Sequence, residues 1–149
     1  MIIAIGSDDW SHVVHETIEY LKGKGHHILY TGAQNGKHMS WPSTAKSVAG
    51  NVAKAQANFG VLFCWTGTGV SIAANKVRGI RAALCGDAET ARGARLWNNA
   101  NILCLSLRKT TIVIVQEILN AWINTEYIPN PEDDACLAEI EIIDTKQDK

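Results

Sequence analysis

The sequence predicts an α/β protein, a three-layer α/β/α sandwich around a five-stranded, parallel, Rossmann-like sheet. Three observations carry that expectation. Short apolar runs alternate with helical patterns along the chain, and strand–helix alternation builds a parallel sheet covered on both faces. The stretch from Phe59 to Lys76 shows the unit most plainly: an apolar run ending in Cys64, a loop with two glycines and several hydroxyls, then an alanine-rich segment that favours helix. Finally, 149 residues without internal repeat, low-complexity tract or composition break read as a single domain, 1–149, with enough chain for a real core.

Each element follows from its local pattern. Residues 2–5 are an apolar first strand, stopped by Gly6, Ser7, Asp8 and Asp9. Residues 12–22 carry Val13, Val14, Ile18 and Leu21 at helical spacing and end at Gly23. A second strand covers 27–30. Residues 31–41, with Gly32, Gly36 and His38, form the longest loop, long enough to be functional. Pro42 opens a helix to about residue 57, bearing Ala45, Val48, Ala49, Val52 and Ala53. Strands at 61–64, 80–85 and 102–105 then alternate with helices at 70–77, 88–97 and 111–124. After Pro129 and Pro131 a last helix runs from about 133 to 143, and the polar tail 144–149 is expected to fray. With the strand order 2-1-3-4-5, strands 1 and 3 flank the crevice where the order reverses, and ligands of open parallel sheets bind there at the carboxyl ends. Asp8 follows strand 1 and Cys64 ends strand 3, so this topology brings a carboxylate and a thiol together.

Composition excludes several functions. The formal net charge of −1 argues against a nucleic-acid footprint, because no face can be strongly basic without an acidic one elsewhere. No apolar run reaches membrane-spanning length, and the start of the chain has no basic segment with a cleavage pattern. Cys64, Cys85, Cys104 and Cys136 have no C-x-x-C pairing, which favours reduced thiols in the cytoplasm; Cys85, Cys104 and Cys136 read as small buried hydrophobes. No metal site is expected: His26 and His27 adjoin on a strand and face opposite ways, and no other His or Cys shows ligand spacing.

The chemistry concentrates at Cys64 and the loop after it. Glycines let a backbone approach a ligand closely, and the first amides of a helix point outward as donors. The run Thr66, Gly67, Thr68, Gly69, Val70 and Ser71 therefore suits an oxyanion or phosphate beside the thiol. Trp10, Trp41, Trp65 and Trp97 all fall at loop or strand-end positions, an arrangement that suits an aromatic-walled pocket. Asp87 reads as a helix cap with Thr90 three residues on, Glu89 and Arg92 as a solvated pair, and the stripe from Val113 to Trp122 as sheet-facing or dimer-facing core.

These residues resemble the ribose-5-phosphate isomerase type B / galactose-6-phosphate isomerase family. The likeness runs from C-x-T-G-x-G-x-S-I-A-A-N-K at Cys64 through Gly79-Ile80-Arg81-Ala82-Ala83 and Asn98-x-Ala100-Asn101-Ile102-Leu103 to Arg108, with Gly6-Ser7-Asp8 and Trp41-Pro42 before it. The resemblance implies an aldose–ketose isomerase that works through a cis-enediol, uses no cofactor and pairs its sites across a homodimer or larger homo-oligomer. It implies Cys64 as the base, the amides at 66–70 as the anion hole, and Asp8, Thr66, Asn98 and Arg108 at the site. Its physical logic is general. Enediolate formation puts negative charge on a former carbonyl oxygen, and preorganised amides hold that charge. A thiol beside a helix N-terminus can serve as a base near neutral pH.

The departures from the family pattern cluster on the substrate side. Asp9 stands where the family has histidine, Trp97 where it has the ring-opening histidine, Trp65 in place of a glycine and Ser40 in place of an acid. The C-terminal phosphate-gripping arginines fall on Glu132 and Cys136. These changes point to weak turnover of ribose 5-phosphate and a preference for an unphosphorylated or otherwise modified sugar. His12 and His38 are the candidates to replace the missing histidine. Two readings stay open on the sequence: an isomerase with a changed substrate, or a non-catalytic sugar-binding relative or subunit of a two-chain enzyme. A nucleotide-binding module is disfavoured, because G-x-G-x-x-G after strand 1 and a P-loop lysine are both missing. Cys64 as a core residue and Asp8 as a helix cap are the plain alternatives to their catalytic roles.

Overall fold

A computed structural model describes residues 1–146. The chain runs β1 (Ile2–Ser7), α1 (His12–Gly23), β2 (His27–Gly32), α2 (Trp41–Ala53), β3 (Phe59–Cys64), α3 (Thr68–Ala74), β4 (Ala82–Leu84), α4 (Ala88–Asn98), β5 (Ile102–Ser106), α5 (Ile112–Ile123) and α6 (Pro131–Lys146). All strand pairs are parallel. Helices α1, α4 and α5 cover one face of the sheet, setting Val14, Leu21, Ala91, Ile118 and Trp122 against Ile5, Phe63 and Leu105. Helices α2 and α3 cover the other, with Ala45, Val48, Val70 and Ala74 against Leu62, Cys64 and Cys104. The three-layer expectation holds.

The strand order does not follow the expectation. It is β2-β1-β3-β5-β4 rather than 2-1-3-4-5. The physical reason lies in the two exchanged strands. Every residue of β5 is buried, so it needs a neighbour on each side. Strand β4 has three residues, none fully buried, and takes the edge. Asn75 covers that edge: its Oδ1 accepts from the Ala82 amide at 2.8 Å and its Nδ2 donates to the Ala82 carbonyl at 2.9 Å, as a neighbouring strand would. The exchange leaves the reversal point between β1 and β3 untouched.

Element ends shift for local reasons. Ser11, Ser40, Asp87 and Thr111 each cap a helix by accepting an amide from three residues on. The Asp87–Thr90 cap and the Glu89–Arg92 pair are as expected. Helix α2 stops at Ala53, short of residue 57, because Ala55 turns the chain with a positive φ of 56°. His26 precedes β2 rather than lying on it. Helix α3 and strand β4 are shorter than expected, and β3 begins two residues earlier, at Phe59. Pro131 starts α6 before the expected residue 133, and the helix continues through 146, so 144–146 are helical rather than frayed. Asp144 helps hold that end by accepting from the Gly79 amide at 3.0 Å. The expected tail residues 147–149 lie outside the described residues. Cys85 and Cys104 are buried as expected, but Cys136 is exposed, since α6 gathers no single apolar face. Along α5, Val113 points to solvent while Val115, Ile118, Leu119 and Trp122 are buried.

Candidate active site

The register of the sheet builds the site. Ser7 pairs with Phe63, so Asp8 and Cys64 leave β1 and β3 side by side. Both line a pocket of about 310 Å³ together with Trp41, Trp65, Thr66, Thr68 and Gly69. The end of β5 pins the backbone beneath it. Leu107 donates its amide to the Cys64 carbonyl at 3.0 Å, and the Arg108 amide and Ser106 hydroxyl donate to the Trp65 carbonyl at 3.0 and 2.9 Å.

Glycine at position 67 is required twice over. Its φ is 76°, and a Cβ there would stand 2.5 Å from a Leu84 methyl and 2.9 Å from the Leu105 backbone. As the residue that opens α3, it also brings no capping side chain. The first intrahelical bond runs from the Ser71 amide to the Gly67 carbonyl at 3.3 Å. The amides of Thr68, Gly69 and Val70 come before it and have no carbonyl partner within the helix. Gly69 lies flat against Trp41, whose ring would sit 3.1 Å from a Cβ there. Across the loop the Thr66 and Thr68 hydroxyls bond each other at 2.6 Å.

Asp8 brings a half-satisfied carboxylate to this pocket. Its Oδ1 is buried with no hydrogen bond. Burial pushes the carboxyl above its ordinary value; its own backbone hydrogen bond opposes the rise, Asp9 adds to it and the His38 imidazole offsets part of it. The loop candidate His38 thus acts on Asp8, whereas His12 is turned toward Glu16, 3.8 Å away. Asp9 is exposed, its backbone tied to the Ser7 hydroxyl at 2.6 and 3.3 Å.

A second depression of about 570 Å³ adjoins the first, sharing Thr66 and Thr68. It holds Arg108 and Lys109, neither ion-paired among the described residues, with Ser106, Cys85 and Thr110. Asn98 lies elsewhere, in a depression of about 370 Å³ with Arg81, Ile140 and Ile143. Trp97 folds over Gly93, and Trp10 meets Tyr30 and His15 edge-on at 5.2 and 6.1 Å. Of the four candidate tryptophans, then, Trp41 and Trp65 meet at Cys64, while Trp10 and Trp97 are elsewhere in the single chain. Glu132 and Cys136 are exposed on α6.

The sequence reading missed two things. Much of the motif between Asn75 and Asn101 is scaffold: Asn101 accepts from the Arg81 amide and donates to the Gly79 carbonyl, both at 2.8 Å, and Arg81 Nε donates to the Asn99 carbonyl at 2.9 Å. The expectation that no further histidine shows ligand spacing also fails. His12, His15 and Glu16, three and four residues apart on α1, bring their ligand atoms within 4.8 Å of one another. The i, i+3, i+4 signal was present once α1 was assigned.

A doubly wound sheet with a thiol, a carboxylate and a glycine-opened helix start at its reversal point defines a small-molecule α/β enzyme. Residues 3–139 match the Ribose/Galactose Isomerase family, and the chain belongs to it. It is 37% identical over 145 residues to galactose-6-phosphate isomerase subunit LacB of Clostridium acetobutylicum, covering 95% of this chain and 82% of that one. Ribose-5-phosphate isomerase B of Escherichia coli is 33% identical, covering 84% and 85%. Among solved structures, ribose-5-phosphate isomerase B of Clostridium thermocellum superposes with a TM-score of 0.93 at 33% identity, covering 99% of each chain. The protein is an aldose–ketose isomerase; the non-catalytic alternative is not favoured.

Proposed function

We propose that the enzyme isomerises a sugar phosphate through a cis-enediol, with Cys64 as the carbon base and no cofactor. One observation carries the reading: Cys64, the unpartnered Oδ1 of Asp8 and the start of α3 share one small pocket. In the forward step the Cys64 thiolate takes the proton from C2 of the open aldose. The electron pair becomes the C1–C2 double bond, and the charge collects on O1. The amides at Thr68, Gly69 and Val70 stabilise that oxyanion, with Gly67 opening the approach and Thr66 and Ser71 completing the loop. A proton passes from O2 to O1 as the Cys64 thiol returns its proton to C1, and the ketose results. Asp8 Oδ1 accepts a hydrogen bond from a sugar hydroxyl, which supplies the partner it lacks.

Trp41 and Trp65 flank the sugar carbons. The distal phosphate extends past Thr66 and Thr68 toward Arg108 and Lys109, two cations of the adjoining depression with no ion pair among the described residues. This reading departs from the expectation of an unphosphorylated substrate, which let Arg108 and Lys109 offset only part of the unfavourable charge at Asp9 and Glu132; the depression that holds the two cations is lined by neither acid. The relatives named above are, by name, isomerases of galactose 6-phosphate and ribose 5-phosphate.

The working form we infer is a homodimer in the cytoplasm. Ile140, Ile142 and Ile143 of α6 and Val113 of α5 are exposed, which suits a subunit contact. A second copy then brings Asn98 and Trp97 to the Cys64 pocket, with Asp9 at its rim. Four unpaired cysteines suit a reducing compartment. No helix among the described residues is long and apolar enough to cross a membrane.

The test is a panel of aldoses and ketoses, phosphorylated and free. The expected outcome is at least tenfold higher kcat/KM for a sugar phosphate, with Arg108→Ala erasing most of that preference through KM. A preference for the free sugar, unchanged by Arg108→Ala, would refute the phosphate assignment. Light scattering that finds a monomer at micromolar concentration would refute the shared site.

A further inference from the structure

His12, His15 and Glu16 make a donor cluster that the isomerase site does not use. All three lie on one face of α1, one helical turn deep, because residues three and four apart are neighbours there. The Glu16 carboxylate oxygen stands 3.8 Å from His12 Nδ1 and 3.2 Å from His15 Nδ1. Donors around a tetrahedral zinc ion, with bonds of about 2.0–2.1 Å, are separated by roughly 3.3 Å. The three donors therefore need only small side-chain rotations to share one ion. The helix backbone supplies the spacing, so binding closes no loop.

Three further facts favour a cation over a simple surface hydrogen bond. Glu16 has no Lys or Arg partner among the described residues; the lysine on the same helix, Lys22, is paired with Glu19 at 3.0 Å. The His15 ring is held edge-on by Trp10, which itself rests on Tyr30. The imidazoles of His12 and His15 are exposed, so an arriving ion meets them without local unfolding. Two imidazoles and one carboxylate suit zinc and its late first-row neighbours, and suit magnesium or calcium poorly.

We propose that His12, His15 and Glu16 form a surface site for a divalent transition-metal ion, zinc in the first instance, separate from the Cys64 pocket. A fourth position stays open to water. The ion ties the first turn of α1 together and fixes Trp10 beside it, so it stabilises the fold by binding the native state alone.

The experiment is calorimetric titration of the full chain with zinc chloride, in a Cys136→Ser background that removes the exposed thiol. One equivalent should bind, with affinity falling at least tenfold in His15→Ala and in Glu16→Gln, and zinc should raise the melting temperature of the parent but not of His15→Ala. Both substitutions are at the surface, so each variant should fold. Zinc binding that survives His15→Ala and Glu16→Gln at full affinity would place the ion elsewhere and overturn the proposal. So would the absence of a zinc-induced shift in melting temperature in the parent.

Discussion

Two regions of this chain carry the family-like motifs, and they treat their polar groups in opposite ways. Around β4, Asn75, Arg81 and Asn101 direct their side chains into the backbone and satisfy it: Ala82 is bonded on both its amide and its carbonyl, and so are Arg81 N–H and the Gly79 carbonyl. Around the end of β3, the same density of motif residues leaves groups open. Asp8 Oδ1 is buried without a partner, and the first amides of α3 have none within the helix. A buried polar group without a partner costs free energy, and at Asp8 that cost falls in a pocket beside a thiol. The satisfied motif is scaffold, and the open one is where we propose the site. In sequence the two look alike.

Substitutions break or sharpen that contrast. The largest effect falls on Cys64. Replacing it by alanine should lower kcat/KM by on the order of 10²–10⁴-fold, as loss of a general base does, with little change in melting temperature because one small atom leaves the edge of the core. Initial rates and a thermal melt on the same preparation check both halves.

Asn101→Ala should do the reverse. It leaves the Arg81 amide and the Gly79 carbonyl unpaired. The expected cost lies toward the lower end of roughly 1–3 kcal/mol per such group, since Gly79 is open to water. Denaturant unfolding should record that loss, and activity per folded molecule should stay within a few-fold of the parent. An Asn101→Ala enzyme with normal stability and a hundredfold lower rate would reverse the contrast.

The smallest effect is on pH-dependent stability at Asp8. Its folded value is raised above the ordinary 3.8, chiefly by burial. Between the unfolded and folded values the native state holds more protons than the unfolded one, so stability falls as pH rises through that window. The penalty is absent below the ordinary value and grows as pH rises through the folded one. Asp8→Asn should therefore melt slightly higher than the parent at pH 7, match it in acid, and isomerise more slowly. An equal melting difference at both pH values would show that ionisation of Asp8 is not its source.

How far the sequence was legible follows the same physics. The alternation of apolar runs and helices, the approach of Asp8 to Cys64 and the glycine-opened loop all follow from local pattern and the crossover rules, and the structure has them. The order of β4 and β5 was not legible, because both are short apolar runs and only tertiary burial shows which one needs two neighbours. The exposure of Cys136 was hidden for a similar reason: α6 carries apolar residues all round, so no face could be assigned. Asn75 and Asn101 carried the family-like motif without a stated role, because hydrogen bonds to distant backbone leave no mark in sequence spacing. Asn98 lines a different depression from Cys64, because α4 ends away from the β3 loop in the single chain.

The central claim is that Cys64 moves a carbon-bound proton, and isotope exchange reads it directly. The enzyme is held in D₂O with the best sugar phosphate from the substrate panel, through many rounds of interconversion, and deuterium on carbon is followed by NMR. The parent enzyme should wash solvent deuterium into the C1 and C2 positions, while Cys64→Ala does so at least a hundredfold more slowly. Wash-in by Cys64→Ala at the parent rate would contradict the account.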